Sequence, residues 1–210
     1  MYYEDSLTIG YMRMSSHSSS GLEVAKLPKQ ARGQRRVAAL LDAASLVFTE
    51  KGIEAATMTE IARRAGAPIG SLYQFFPAKA ALAQALLERY AARLEESLTA
   101  LRADAPYLAP QALAARLLGV LRTHAQDRAL ATALLENYAE ISGRRGNFRP
   151  RMLALVEAVL CAAAPPLAPG RAAAMALPVL LLMKQVPQPG PDEAALPELT
   201  RMLELYLRAG

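Results

Sequence analysis

The sequence predicts an all-α fold, on three observations. Alanine and leucine dominate after Ala78, and apolar residues recur there at spacings of three and four, as on one face of a helix. Prolines interrupt these runs, and no stretch alternates apolar with polar residues as a half-buried strand does. The 210 residues are 53% hydrophobic, which suffices for one large core or two small ones.

Residues 57–82 predict two short helices joined by a tight turn. Thr57 and Glu60 form a capping box, so the first helix is expected to begin near Met58. Gly66 ends that helix, because the residue after a helix commonly needs a positive φ, which glycine tolerates best.

The second of these helices is expected to begin around Pro68, which suits a first turn because it has no amide hydrogen to donate. Ile69, Leu72 and Phe76 supply its apolar face, and Pro77 stops it. Two helices with a tight glycine-containing turn form a helix-turn-helix, whose second helix enters the major groove of DNA. A third helix is expected to start near Ala78 and to continue well beyond the motif.

The same spacing predicts the remaining helices. One precedes the motif at about 34–51 and ends at Gly52. The others are predicted at 111–125, 127–142, 148–164, 170–184 and 194–208, with a loop at 143–146.

This pattern divides the chain into three parts. Residues 1–25, with a serine-rich tract, are expected to be an arm outside the fold, disordered or of artificial origin. Residues 26–80 are predicted to form a three-helix helix-turn-helix DNA-binding domain. Residues 81–210 are predicted to form a second helical domain.

Positive charge is concentrated in the N-terminal part. The span 24–82 contains nine Lys or Arg and four Asp or Glu, whereas the remainder has fifteen of each. A basic module joined to a neutral one is expected when one end binds phosphates; a solvated basic face is the alternative. The run of cations from Lys26 to Arg36 is interpreted either as an arm that reaches the minor groove or as a disordered lead-in.

The block 35–85 carries a specific set of residues: Ala43, Ala44, Phe48, Gly52, Thr57, Ile61, Ala62, Ala65, Gly66, Gly70, Ser71, Leu72, Tyr73, Phe76, Pro77, Lys79 and Leu82. This block resembles the DNA-binding end of the tetracycline-repressor (TetR) family of transcriptional regulators. The family often has Ser or Thr where this chain has Pro68.

The resemblance assigns phosphate contacts to Thr57, Tyr73 and Lys79, with Arg63 or Arg64 in support. Tyr73 has an alternative as a core residue of the small bundle.

Base reading is expected from the exposed face of the second helix, at Ile69, Gly70, Ser71 and Gln74. Gly70 lets the backbone approach the duplex closely, and Gln74 is suited to the edge of an adenine.

Two apolar C-terminal helices suggest a partner. Their apolar residues are Leu177, Leu180, Leu181, Leu196, Leu199, Met202, Leu203, Tyr206 and Leu207. The resemblance implies a homodimer paired through these helices, and a two-fold dimer implies a palindromic operator. The alternative is that both helices close the core of a monomer.

The resemblance also implies a small-molecule effector, bound in the C-terminal domain, that releases the protein from DNA. Tyr90, His124, Asn137 and Tyr138 are the candidate ligand-binding residues, and the effector is expected to be small and largely apolar. Each residue has an alternative: His124 as a core histidine bonded to a carbonyl, Asn137 bonded to a neighbouring helix, and the tyrosines as core filling.

Several functional classes are disfavoured. Two distant histidines, His17 and His124, and a single Cys161 argue against a metal site, a cofactor or a catalytic triad, so no enzyme is expected. One cysteine cannot form an intrachain disulfide, which fits a reducing cytoplasm. No apolar run reaches the ~20 residues that span a bilayer, so no membrane partner is expected.

The sequence therefore predicts a ligand-responsive transcriptional repressor that binds a palindromic operator as a homodimer. The alternative is a helical ligand-binding or scaffold protein without sequence-specific DNA binding.

Overall fold

The computed structural model describes residues 29–137, 145–186 and 191–209, and this part of the chain consists of helices and their connections, without a strand. Its helices are α1 (Lys29–Ala55), α2 (Met58–Arg64), α3 (Ile69–Phe75), α4 (Lys79–Asp104), α5 (Pro110–Thr123), α6 (Ala125–Asn137), α7 (Arg145–Cys161), α8 (Pro169–Gln185) and α9 (Leu196–Arg208). Two 3₁₀ turns, Ala105–Tyr107 and Pro191–Ala195, complete the set. The predicted all-α fold is confirmed.

The N-terminal boundaries follow from local chemistry. α1 begins at Lys29, earlier than the predicted residue 34, because Lys, Gln and Arg in this segment are good helix formers. The break predicted at Gly52 is present, since Gly52 has φ 78° and ψ 164° and interrupts the regular helix before Ala55. α2 and α4 begin at Met58 and Lys79, as predicted.

Two C-terminal boundaries differ from the predictions. The loop predicted at 143–146 is wrong in its second half, because α7 begins at Arg145. The first backbone N–H groups of a helix have no intrahelical partner, so the first turn tolerates Gly146, the residue after Arg145. The helix predicted at 194–208 is α-helical only from Leu196, after the 3₁₀ turn. Residues 138–142 of the helix predicted at 127–142 lie outside the described residues.

The buried side chains form two cores. The N-terminal core joins α1 to α4 and receives two leucines from α6; its large members include Leu40, Phe48, Ile61, Leu72, Phe76, Leu82, Leu86, Leu130 and Leu134. The C-terminal core is built by α4, α5, α7, α8 and α9; its largest members include Leu94, Leu98, Leu101, Leu117, Met152, Leu160, Met175 and Leu203. α4 therefore contributes to both cores.

α6 is shared between the two parts of the molecule. Its Leu130 and Leu134 are buried in the N-terminal core, whereas Ala131 is buried in the C-terminal core. Arg93 of α4 forms an ion pair with Asp127 near the start of α6. α6 thus connects the helix-turn-helix core to the helices behind it.

Leu134→Ala is expected to destabilise the protein by about 2–5 kcal/mol, because truncating a fully buried leucine removes apolar contacts and leaves a cavity. The free energy of unfolding in urea measures the effect. Leu46→Ala is the matched control, since Leu46 on α1 is half exposed and should change stability by about 0.5 kcal/mol or less. Equal losses in the two variants would contradict the placement of α6 in the N-terminal core.

Candidate nucleic-acid interface and ligand cavity

The turn between α2 and α3 is fixed by local hydrogen bonds. The Oγ1 of Thr57 accepts the backbone N–H of Glu60 at 3.2 Å, which caps α2. The second contact of a capping box, from the Glu60 side chain to the backbone N–H of Thr57, is replaced by an ion pair. The Glu60 carboxylate lies 2.6 Å from the Nζ of Lys51. Gly66 has φ 62°, and the N–H of Ala67 bonds the carbonyl of Ala62 at 3.0 Å.

α3 buries one edge and exposes the rest. Leu72 is fully buried and anchors the helix, and Phe76 just after it is also buried. The assignment of Ile69 to the same apolar face is wrong: Ile69 is 40% exposed, because one turn of a short helix at the surface brings only part of its circumference to the core. Its exposure agrees with the base-reading assignment.

The predicted recognition residues share the exposed surface of α3. Gly70, Tyr73 and Gln74 are exposed, and Ser71 is half-buried. The core alternative for Tyr73 is wrong, since half of its surface is accessible. A Cβ added to Gly70 would meet no atom within 4 Å, so nothing within the described residues demands glycine there. The open space around Gly70 is compatible with the predicted close approach of DNA to the backbone of α3.

Arginines of α1 lie beside this surface. The Nη1 of Arg36 donates to the Oγ of Ser71 at 3.3 Å, and Arg32 and Arg35 are exposed on the same helix. The interpretation of these cations as an arm is wrong from Lys29 onward, because they belong to α1; Lys26 lies outside the described residues. The proximity of Arg36 to α3 was not predicted, although its spacing of four from Arg32 places both on one helix face.

Internal ion pairs neutralise some of the N-terminal cations. Arg64 makes a two-pronged contact with Glu50, with its Nη2 at 2.6 Å from Oε1, and these hydrogen bonds hold the pKa of the Glu50 carboxyl below its usual value. Arg63, one residue earlier, is exposed and has no carboxylate partner among the described residues. Arg63 rather than Arg64 is therefore the cation available for an external phosphate.

Lys79 has a structural role at the junction of α1 and α4. Its Nζ donates to the carbonyl oxygens of Ile53 and Glu54, both at 2.9 Å. These bonds tie the start of α4 to the end of α1, where a cation is favoured by exposed carbonyls. An ammonium has three donors, so one N–H remains for the predicted phosphate contact, which stays a prediction.

The second candidate site is a cavity of about 650 Å³ behind the helix-turn-helix. Apolar side chains form much of its wall, among them Leu94, Leu98, Met152, Leu180 and Met183. This volume falls within the usual range for small-molecule sites. Within the described residues, no cluster of His, Cys, Asp and Glu is arranged to hold a metal ion.

Of the four predicted ligand residues, Tyr90 lines the cavity. Its ring stacks on Phe148 with centroids 6.3 Å apart, and burial raises the pKa of its hydroxyl to about 12, so it remains a donor at neutral pH. His124 does not line the cavity. Its Nε2 lies 3.0 Å from the Oγ of Ser97, so the carbonyl partner suggested for it is wrong. The side chain of Asn137 and all of Tyr138 lie outside the described residues.

The chain is similar to known proteins in three respects: a family pattern, a related sequence and solved structures. Residues 40–86 match the family described as bacterial regulatory proteins, tetR family. The chain is 39% identical over 69 residues to the A-factor receptor protein of Streptomyces griseus, a match that covers 33% of this chain and 25% of the relative. The chain thus aligns with about a quarter of the length of that curated relative.

Solved structures match over most of the chain. A TetR-family transcriptional regulator from Mesorhizobium loti MAFF303099 is 22% identical, with a TM-score of 0.62, and the match covers 85% of this chain and 96% of that one. The TetR transcriptional regulator SCO0520 from Streptomyces coelicolor is 27% identical, with a TM-score of 0.54, over 82% of this chain and 97% of that one. The similarity therefore extends beyond the helix-turn-helix to the C-terminal helices.

Arg63→Gln is expected to reduce the salt dependence of duplex DNA binding by about one unit of log K against log salt, because one phosphate contact is lost. Fluorescence anisotropy with a labelled duplex at several salt concentrations measures the slope. The matched control replaces Glu50 and Arg64 together by Gln, which removes the neighbouring ion pair without changing net charge and should leave the slope unaltered. A slope that falls equally in both proteins would exclude Arg63 as a selective phosphate contact.

Proposed function

The chain belongs to the tetR family of bacterial regulatory proteins, and from this premise we propose that it represses transcription by binding a palindromic operator as a homodimer. A small, largely apolar molecule in the C-terminal cavity releases it. The family consists of regulators, which confirms the prediction that the chain is not an enzyme. No helix among the described residues is both long enough and apolar enough to cross a membrane.

The observation that carries the DNA-binding proposal is the exposed surface of α3. Ile69, Gly70, Tyr73 and Gln74 are exposed there, although Leu72 and Phe76 hold the helix firmly in the core. A helix that is fixed by the core and exposes polar groups and accessible backbone on its outer side is suited to insertion into the major groove of DNA. The flanking arginines of α1 and α2 supply the charge that phosphates require.

The dimer proposal rests on α8 and α9. No charged residue occurs between Ala172 and Met183, yet Leu177 and Leu181 of α8 are 36% and 48% exposed. On α9, Met202 and Leu205 are 55% and 58% exposed. An outer helix face that is apolar over three turns is more stable when it is buried against a partner. The same face of a second protomer is such a partner.

The coupling of ligand to DNA is proposed to pass through α4 and α6. α6 contributes Leu134 to the N-terminal core and Arg128, Thr132 and Leu135 to the cavity wall. α4 contributes Leu86 to the same core and Tyr90 to the cavity. A ligand that favours one position of these helices shifts the population toward dimers whose recognition helices no longer match successive major grooves.

Selection from a random duplex pool with the full chain tests the proposed function. The enriched sequences are expected to be inverted repeats with half-site centres one DNA turn apart, about 10 base pairs. Raising the salt from 50 to 200 mM should weaken binding by about a thousandfold or more, if six or more phosphates are contacted. A protein that enriches no sequence and binds no duplex at low salt would be the helical ligand-binding or scaffold protein instead.

Leu181→Glu is expected to weaken self-association by about a hundredfold or more, because a two-fold contact would bury two unpaired carboxylates. Sedimentation velocity over a range of concentrations measures the dimer fraction. Leu46→Glu, at a half-exposed position of α1, is the control and should leave the dimer intact. A wild-type protein that remains monomeric at micromolar concentration would argue against this interface.

A further inference from the structure

The cavity behind the helix-turn-helix carries basic side chains but no acidic ones among its described lining residues. Arg128, Arg149 and Lys184 line it together with Thr132 and the Tyr90 hydroxyl, and no Asp or Glu does. A cavity with a largely apolar wall and a one-signed set of charges is suited to a ligand of the opposite sign.

The guanidinium of Arg128 forms hydrogen bonds within the protein, which makes it less available to a ligand. Its Nη1 donates to the carbonyl of Val186 at 3.2 Å, and its Nη2 donates to the carbonyl of Lys184 at 2.7 Å. These bonds join α6 to the end of α8, where unpaired carbonyls favour a cation. Asp127, the neighbouring acid, is already paired with Arg93.

Arg149 and Lys184 have no counter-ion among the described residues. Both are exposed, and neither has a carboxylate within 4.0 Å or a side-chain hydrogen bond among the described residues. Glu88 and Glu95 of α4 are paired with Arg151, which lies two residues after Arg149 in the sequence. Because these two lining residues are exposed while Leu94 and Leu98 are buried, the free cations mark the mouth of the cavity and the leucines its interior.

We propose that the effector is an amphipathic organic anion, whose acidic head group is bound by Arg149 and Lys184 at the mouth while its apolar body enters the cavity. This inference rests on the proposed function and adds an acidic head group to the small, largely apolar effector proposed there. The head group is a carboxylate, sulfonate or phosphate, since these accept charge-assisted hydrogen bonds from both cations. The interior offers Leu94, Leu98 and Met183 to the body, and the buried Tyr90 hydroxyl to one polar atom of it.

A matched pair of dyes tests the proposal on the full chain. 1-Anilinonaphthalene-8-sulfonate (ANS) and N-phenyl-1-naphthylamine share one aromatic body, and only ANS carries a negative charge. Fluorescence titration gives the affinity of each dye for the wild-type protein and for Arg149→Gln combined with Lys184→Gln. The ratio of ANS affinity to neutral-dye affinity is expected to fall about tenfold in the double variant, because two partly exposed charge contacts are lost.

Two controls separate head-group binding from other effects. Arg149→Lys combined with Lys184→Arg keeps both charges and should keep the wild-type ratio. Arg102→Gln, at an exposed arginine of α4 outside the cavity, removes a cation elsewhere and should also keep it. An unchanged ratio in the double glutamine variant, or the absence of saturable ANS binding by the wild type, would overturn the proposal.

Duplex binding, measured separately, distinguishes this inference from the proposed function. A protein that selects palindromic duplexes but shows no dye selectivity retains its DNA-binding role and loses the anionic effector. ANS is also expected to lower the duplex affinity of the wild type, and to do so at about tenfold higher concentration in the double glutamine variant. Release of duplex at the same ANS concentration from both proteins would contradict the assignment of Arg149 and Lys184.

Discussion

The structure depends on the shared packing of α6. Leu130 and Leu134 of this helix are buried among the side chains of the helix-turn-helix domain, while Ala131 and Arg128, on other faces of the helix, contact the C-terminal domain. Protein interiors are close-packed, so a helix inserted in two cores cannot shift against one without displacing the other. In the proposed mechanism this constraint links the C-terminal cavity to DNA binding, because one short helix both lines the cavity and packs in the core that holds α3.

Features governed by neighbouring residues were predictable from the sequence. The Thr57 cap and the positive φ of Gly66 each depend on a few consecutive residues, and both are present. The exposed set on α3 was also predictable, since Leu72 fixes which side faces inward and the other side chains follow from helical spacing. Ile69 is the exception, because an apolar residue does not by itself show that the core reaches it.

Contacts between distant segments were not predictable. Arg36 and Ser71 are 35 residues apart, and Arg128 and Lys184 are 56 apart. Helical spacing identifies which residues share a face but not which other helix that face meets. Lys79 shows the consequence: its charge suggests a phosphate, whereas its position also provides a cap for the carbonyls of Ile53 and Glu54. The basic side chains of the cavity were missed for the same reason, as each comes from a different helix.

The pattern of ion pairs, rather than net charge, shows where anions can bind. At the N-terminal end Arg64 and Lys51 are neutralised by Glu50 and Glu60, which leaves the arginines that border α3. Residues 81–210 contain fourteen Lys or Arg and twelve Asp or Glu. Arg93, Arg116, Arg122 and Arg151 form ion pairs with some of these acids, whereas the two cations at the cavity mouth have no carboxylate partner among the described residues. A surface cation that already has a carboxylate neighbour adds little to the binding free energy of a further anion. An unpaired cation keeps its full electrostatic attraction for that anion. The two proposed sites therefore use separate sets of cations, so an acidic effector would change DNA affinity through helix position and not by competing with phosphates for the same side chains.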